Sequence, residues 1–168
     1  GDIYDPAIFY RYTAQIIRAM GGDGPAVESC AIEIYDEWAT NHHFEMYDDV
    51  GPVMRALRAR GLTVGVISNS HRSLEAFQEH FGLNGFIHAA VSSFEHGYMK
   101  PHPSIFEAAL LRAGVEAGES VMVGDSLKAD VEGALAAGMR GVLLRRSGEM
   151  PPTLPPGVSV IRTLTELE

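Results

Sequence analysis

The sequence predicts an α/β fold, a parallel sheet with helices on both faces and a helical segment ahead of it. Apolar side chains recur at helical spacing in residues 7–40, and no strand-like run interrupts them. From residue 48 onward, short β-branched runs alternate with helical stretches, as in βαβ units. Glycine follows four helical stretches, where a helix most easily ends: Gly61, Gly82, Gly114 and Gly138. We therefore expect a helical segment over 1–47 and an α/β core over 48–168.

The elements can be placed in order along the chain. Asp5-Pro6 is a typical helix start, and Gly21-Gly22 ends the helix that follows. A second helix over 25–40 should bury one face, formed by Val27, Cys30, Ala31, Ile34, Tyr35 and Trp38. In the core, the predicted helices span 50–60, 72–81, 103–113 and 127–137, and the predicted strands span 62–68, 86–92, 121–124, 141–144 and 158–161. Residues 147–157 carry four prolines and are predicted to form a surface loop.

Composition excludes several kinds of partner. A hydrophobic content of 46% in 168 residues is enough for a real core. The formal net charge of -9 argues against nucleic acid and against an anionic membrane surface, because both would need a basic patch. The single cysteine fits a reducing compartment, and no apolar run approaches the ~20 residues that span a bilayer. We expect a soluble, cytoplasmic protein.

Two acids follow the predicted strand Val121–Gly124. Asp125 comes directly after this strand, and Asp130 lies at the start of the next helix. Ligands of open α/β sheets collect at the carboxyl ends of the strands, and Mg²⁺ prefers one or two carboxylates plus waters and phosphate oxygens. The pair therefore indicates a Mg²⁺ site, although Asp125 and Ser126 could instead only cap the helix.

Polar residues also follow the strand that ends at Ser68. The hydroxyl of Ser68 and the amide of Asn69 can hydrogen-bond an anion there, or Asn69 and Ser70 can serve as an ordinary helix cap. Lys100 lies in a loop stiffened by two prolines, which makes it a better phosphate anchor than a freely moving surface lysine. Convergence of these strand ends on one edge of the sheet is stronger evidence for a site than any one of these residues alone.

Taken together, the motifs resemble the haloacid dehalogenase-like (HAD) hydrolase superfamily, in its subfamily with a helical cap. The resemblance covers roughly residues 50–145 and rests on Gly65-Val-Ile-Ser-Asn69, Lys100-Pro-His-Pro-Ser-Ile-Phe106, and Val123-Gly-Asp-Ser126 with Asp130. It implies a Rossmann-like HAD core with a parallel sheet and helices on both faces. Residues 1–47 are similar to part of a cap, so we expect a cap remnant at the N-terminus.

The resemblance also implies roles for five residues. Ser68 would hydrogen-bond a phosphoryl oxygen, and Asn69 would shape the same pocket. Lys100 would offset negative charge on the phosphate, which is how phosphoryl transfer is mainly catalysed. Asp125 would hold Mg²⁺, and Asp130 would support the ion directly or through water. The acidic pair favours the Mg²⁺-dependent phosphatases of the family, acting on a small phosphorylated metabolite.

The family's first motif, a strand ending in Asp-x-Asp that supplies the nucleophile, is not found in the sequence. Asp2-Ile-Tyr-Asp5 has the wrong spacing. We expect a truncated, inactive chain whose sheet lacks its first strand, so that the sheet closes up, takes a strand from another copy, or binds an N-terminal fragment. The alternative function is a non-catalytic HAD-like module that binds phosphate or protein.

The seven histidines are not expected to form a metal set. Most of them should be solvated or should cap helices. His71 and His102 are the two whose contact with the predicted pocket is most worth checking.

Overall fold

The computed structural model describes residues 3–5, 7–38, 40–70 and 72–167, which form helices and parallel strands. None of the helices in these ranges is long and apolar enough to cross a membrane. The helices are α1 (Ala7–Ala19), α2 (Val27–Trp38), α3 (Val50–Ala59), α4 (Leu74–His80), α5 (Ser93–His96), α6 (Pro103–Ala113) and α7 (Gly133–Ala136). The strands are β1 (Gly65–Ser68), β2 (Ala89–Ser92), β3 (Val121–Gly124), β4 (Arg140–Leu144) and β5 (Ser159–Ile161).

The N-terminal helices α1 and α2 pack against each other. Asp5 Oδ1 accepts a hydrogen bond of 2.9 Å from the backbone N–H of Ala7, which confirms the predicted helix start, while Pro6 lies outside the described residues. The prediction for α2 was partly wrong. Val27, Ala31 and Tyr35 are buried, but Cys30, Ile34 and Trp38 are exposed. The reason is that a buried face needs a neighbour, and α1 covers only one stripe of α2.

The strands form two separate parallel sheets. β1 pairs with β2, and β3, β4 and β5 pair in that order. Within the described residues β1 and β3 do not pair with each other, so each hydrogen-bonds to a strand on one side only. The sheet therefore does not close up on itself, which was one of the three expected arrangements.

Helix α6 packs against β1, β2 and α7 and forms the centre of the core. Ile105 and Phe106 on this helix are fully buried, together with Val91 of β2 and Ala134 of α7. Gly133 is required at the α6 contact, because a Cβ at this position would lie 2.9 Å from the Phe106 ring. Ile67 of β1 and Met122 of β3 also pack against this cluster, so the apolar core contacts both sheets.

The helix predicted over 127–137 differs from the observed structure. Residues 127–132 form a π-helical turn, in which the N–H of Val131 bonds to the C=O of Ser126 at 3.3 Å, and α7 follows. The Ser126 hydroxyl accepts a bond of 3.0 Å from the N–H of Ala129 and caps the turn. The wider turn carries Asp130 inward, where it is 4% exposed.

A charge pair fastens α3 to the C-terminal part of the chain. Both guanidinium nitrogens of Arg146 donate to the Asp49 carboxylate, at 2.8 and 2.9 Å, and the Leu164 N–H donates to it at 2.8 Å. Arg146 also lies over the Tyr47 ring, 3.9 Å from its centroid. The hydrogen bonds from Arg146 lower the pKa of Asp49 from 3.8 to about 2.

Asp49→Asn should destabilise the fold at neutral pH. The lowered pKa of Asp49 corresponds to about 2 kcal/mol of stability. That stability is fully present above the unfolded-state pKa and is lost as the pH falls from about 4 to about 2. Urea unfolding of wild type and variant at several pH values should show a difference in the free energy of unfolding that decreases only in this pH range. Asp23→Asn, at an exposed loop position, is the control, and a difference independent of pH would contradict the assignment.

Candidate functional site

The ammonium group of Lys100 joins the two sheets at their carboxyl edge. Its Nζ donates to the C=O of Ile67 in β1 at 2.9 Å and to Asp130 Oδ1 at 2.6 Å, beyond β3. The side chains of Lys100 and Asp130 are only 10% and 5% exposed. An ammonium has three N–H donors. Two are used by described residues, so one remains for an anion at this edge.

Asn69 fixes the loop that carries Lys100. Its side-chain Oδ1 accepts from the Lys100 N–H at 2.7 Å, and its Nδ2 donates to the Lys100 C=O at 2.9 Å. The Asn69 side chain thus bonds to the backbone N–H and C=O of Lys100 as a neighbouring β-strand would. The backbone at Lys100 is therefore held against the end of β1, and the cap role considered for Asn69 is not what these contacts show.

The Asp130 carboxylate has a partner on each oxygen. Oδ1 accepts from Lys100, and Oδ2 accepts from the backbone N–H of Ser126 at 2.9 Å. Gly124 makes this possible, because a Cβ there would overlap the carboxylate. Packing against Asp130 therefore explains the glycine at position 124, independently of any role of the acid at position 125.

Asp125 offers a different kind of carboxylate. It directly follows β3, is exposed, and within the described residues its side chain accepts no hydrogen bond and makes no ion pair. A hard oxygen donor in this position fits Mg²⁺, which takes few protein carboxylates and completes its shell with water and phosphate oxygens. The two acids thus differ in environment, Asp130 enclosed and Asp125 open.

Ser68 ends β1 at the same edge. Its hydroxyl donates to the Ser70 hydroxyl at 3.1 Å, and Ser93 Oγ donates to the Ser70 C=O at 3.2 Å. Ser92, which is paired with Ser68 in the sheet, and Ser93 are fully buried.

Of the residues predicted for the site, Asn69 and Asp130 both contact Lys100 directly. The structure places Ser68 and Asp125 at the ends of β1 and β3, without a hydrogen bond from either side chain to Lys100.

Two partners in this network were missed by sequence reasoning. The Ile67 carbonyl and the Ser126 N–H are backbone groups, which no residue type signals. His102 caps α6 by accepting from the Ser104 N–H at 3.3 Å, as expected for most histidines, and His71 lies outside the described residues. The expectation that the histidines form no metal set stays a prediction. The side chains of His42 and His43 do lie close to that of Glu37. The sequence feature that could have pointed to this proximity is an acid six or fewer residues before two adjacent histidines.

A family of known proteins is similar to this chain over most of its length. The family model for haloacid dehalogenase-like hydrolases matches residues 10–138. The chain therefore belongs to the haloacid dehalogenase-like hydrolase family, which confirms the resemblance seen in the sequence.

Two curated relatives and one solved structure show how far the similarity extends. Haloacid dehalogenase-like hydrolase domain-containing protein 3 of Bos taurus is 32% identical over 132 residues, 79% of this chain and 53% of that protein. Glyceraldehyde 3-phosphate phosphatase of Methanopyrus kandleri is 34% identical over 139 residues, 81% of this chain and 59% of that protein. A 2-haloacid dehalogenase from Pseudomonas syringae superposes with a TM-score of 0.71 at 28% identity, covering 96% of this chain and 68% of that one. The chain spans between half and three fifths of these curated relatives.

Gly124→Ala should disrupt the contact between Lys100 and Asp130. The added methyl group would displace the Asp130 carboxylate and separate a buried ion pair, a change that typically costs about 3–5 kcal/mol. Gly118→Ala is the matched control, because a Cβ at Gly118 meets no atom within 4 Å. Urea unfolding of both variants checks the prediction, and equal losses in the two would contradict the role given to Gly124.

Proposed function

We propose that this chain carries the phosphate- and Mg²⁺-binding part of a phosphatase that acts on a small phosphorylated metabolite. The observation that supports it best is the Lys100 ammonium, fixed by Ile67 and Asp130 with one N–H left for an anion. A positioned cation costs no reorganisation when negative charge develops on a phosphoryl group. Family membership and a relative named as a glyceraldehyde 3-phosphate phosphatase support the substrate class.

Each residue of this edge has a part in the proposal. Lys100 would neutralise one phosphoryl oxygen, while Asn69 keeps the lysine loop in place. The Ser68 hydroxyl would hydrogen-bond a second oxygen by turning from Ser70, since a hydroxyl rotates freely. Positioning by such donors accounts for most of phosphoryl-transfer catalysis.

Asp125 would hold Mg²⁺ directly, and Asp130, whose carboxylate also binds Lys100, would support it. The bound ion would supply charge neutralisation at the phosphate. The division of labour follows from the two environments, because the Asp125 carboxylate is exposed while both oxygens of Asp130 already accept hydrogen bonds.

The nucleophile and one further strand would come from outside the described residues. No Asp-x-Asp pair occurs in the 168 residues, and β1 and β3 each pair on one side only within the described ranges. A strand edge with unpaired N–H and C=O groups favours pairing. We propose that a strand ending in Asp-x-Asp, from an N-terminal segment, lies between β1 and β3. Residues 1–47 would then be part of a cap over the core of 48–168. A cytoplasmic location is part of the same proposal, supported by the single cysteine.

A non-catalytic module is the second candidate. The absence of an Asp-x-Asp pair from the sequence favours it. In that case the same Lys100 edge would bind a phosphate compound without hydrolysing it. The two functions share a binding site and differ in turnover.

The proposal is tested by phosphate binding and hydrolysis in parallel. In Mg²⁺, the 168-residue chain should bind inorganic phosphate in a calorimetric titration without hydrolysing a generic phosphate ester. The same chain preceded by its upstream coding segment should hydrolyse the ester. Lys100→Met should weaken phosphate binding at least about tenfold, because a charge-assisted hydrogen bond is lost. Asp125→Asn should abolish the dependence of phosphate binding on Mg²⁺.

Lys128→Met is the matched control, because Lys128 is exposed and lies in the turn next to Asp130. It should bind phosphate as wild type does. Turnover by the 168-residue chain that is lost on Asp125→Asn would contradict the need for an outside nucleophile. Phosphate binding without turnover in the extended chain would favour the module, and no phosphate binding in either chain would overturn both candidates.

A further inference from the structure

Three metal-ligating side chains meet away from the Lys100 edge, at the C-terminal end of α2. Glu37 lies in the last turn of this helix, and His42 and His43 lie in the 3₁₀ turn Asn41–His43. The Nε2 atom of His43 is 2.9 Å from Glu37 Oε1, and that of His42 is 3.6 Å from the same oxygen. All three ligand atoms lie within 4.8 Å of one another.

These separations fit one tetrahedral ion. Zn²⁺ binds imidazole nitrogen and carboxylate oxygen at about 2.0–2.2 Å, so adjacent ligand atoms of a tetrahedral site lie about 3.3 Å apart. The two distances to Glu37 Oε1 bracket this value. The Nε2 atoms of both histidines lie near the same carboxylate oxygen, and that of His43 is within hydrogen-bond distance of it, so a small movement of these exposed side chains would admit an ion between them.

We propose that Glu37, His42 and His43 form a binding site for Zn²⁺ or a similar divalent transition metal, with water as the fourth ligand. Two imidazoles and one carboxylate select such ions over Mg²⁺, which prefers oxygen ligands throughout. The site is therefore chemically distinct from the proposed Mg²⁺ site at Asp125 and does not depend on the proposed function.

The position of the site gives it a structural consequence. The residue after His43 is Phe44, whose ring packs at 5.3 Å against the ring of Trp38 at the end of α2. The Arg72 guanidinium lies over both rings, 4.8 Å from Trp38 and 4.0 Å from Phe44. A metal bound to Glu37 and the two histidines would fasten the end of α2 to the turn that leads into the core.

The test is a titration of the tag-free 168-residue chain with Co²⁺ in excess Mg²⁺, followed by visible absorption. Excess Mg²⁺ keeps the probe away from oxygen-only sites. Wild type should bind one Co²⁺ with the absorption of a four-coordinate ion, and Zn²⁺ should displace it. Glu37→Gln and His43→Gln should each weaken Co²⁺ binding at least about tenfold, as expected when a metal ligand is lost.

His80→Gln is the matched control, because His80 is exposed at the end of α4, outside the cluster. It should bind Co²⁺ as wild type does. Thermal unfolding without metal should be alike in all variants, and Zn²⁺ should raise the midpoint in wild type and in His80→Gln only. Failure of wild type to bind Co²⁺, or binding that both cluster variants retain within twofold, would overturn the site.

Discussion

The ion pair between Lys100 and Asp130 is the polar contact on which the arrangement of the two strand ends depends. β1 and β3 do not pair within the described residues, so no backbone ladder links the two sheets there. Lys100 makes the polar link instead, from the carbonyl at the end of β1 to the carboxylate beyond β3. Burial makes this link consequential, because separating an enclosed pair leaves an uncompensated charge. The same enclosure leaves the ammonium fixed in position, which the proposed anion site requires.

Much of the fold could be predicted from the sequence, because it follows from local patterns. Helix α6 was predicted with its observed bounds, since Pro103 at its start and Gly114 after its end are strong local signals. For the sheet, the sequence left three arrangements open, and of these the lack of pairing between β1 and β3 within the described residues excludes only closure. The exposed face of α2 was not predicted, because helical spacing shows which residues share a face but not whether a neighbour covers it. The Asp49–Arg146 pair also escaped prediction, since its partners lie 97 residues apart.

The candidate site was predictable in its residue types and less so in its contacts. Order and spacing along the chain identified Ser68, Lys100 and Asp125 as ends of strands and loops. The different environments of Asp125 and Asp130 could not be predicted from the sequence, because the π-helical turn that carries Asp130 inward has no residue signature of its own. The cluster at Glu37 was missed for a related reason. A helix end and a 3₁₀ turn together decide whether three side chains converge, and spacing alone leaves that open.

A double-mutant cycle on Lys100 and Asp130 tests the central claim most directly. Free energies of unfolding would be measured for Lys100→Met, Asp130→Asn and the double variant, with Lys128→Met in place of Lys100→Met as the reference cycle. The account predicts that the double variant loses less than the sum of the singles, with a coupling of about 1–3 kcal/mol, whereas the reference cycle is additive. Additivity within about 0.5 kcal/mol for Lys100 and Asp130 would contradict it.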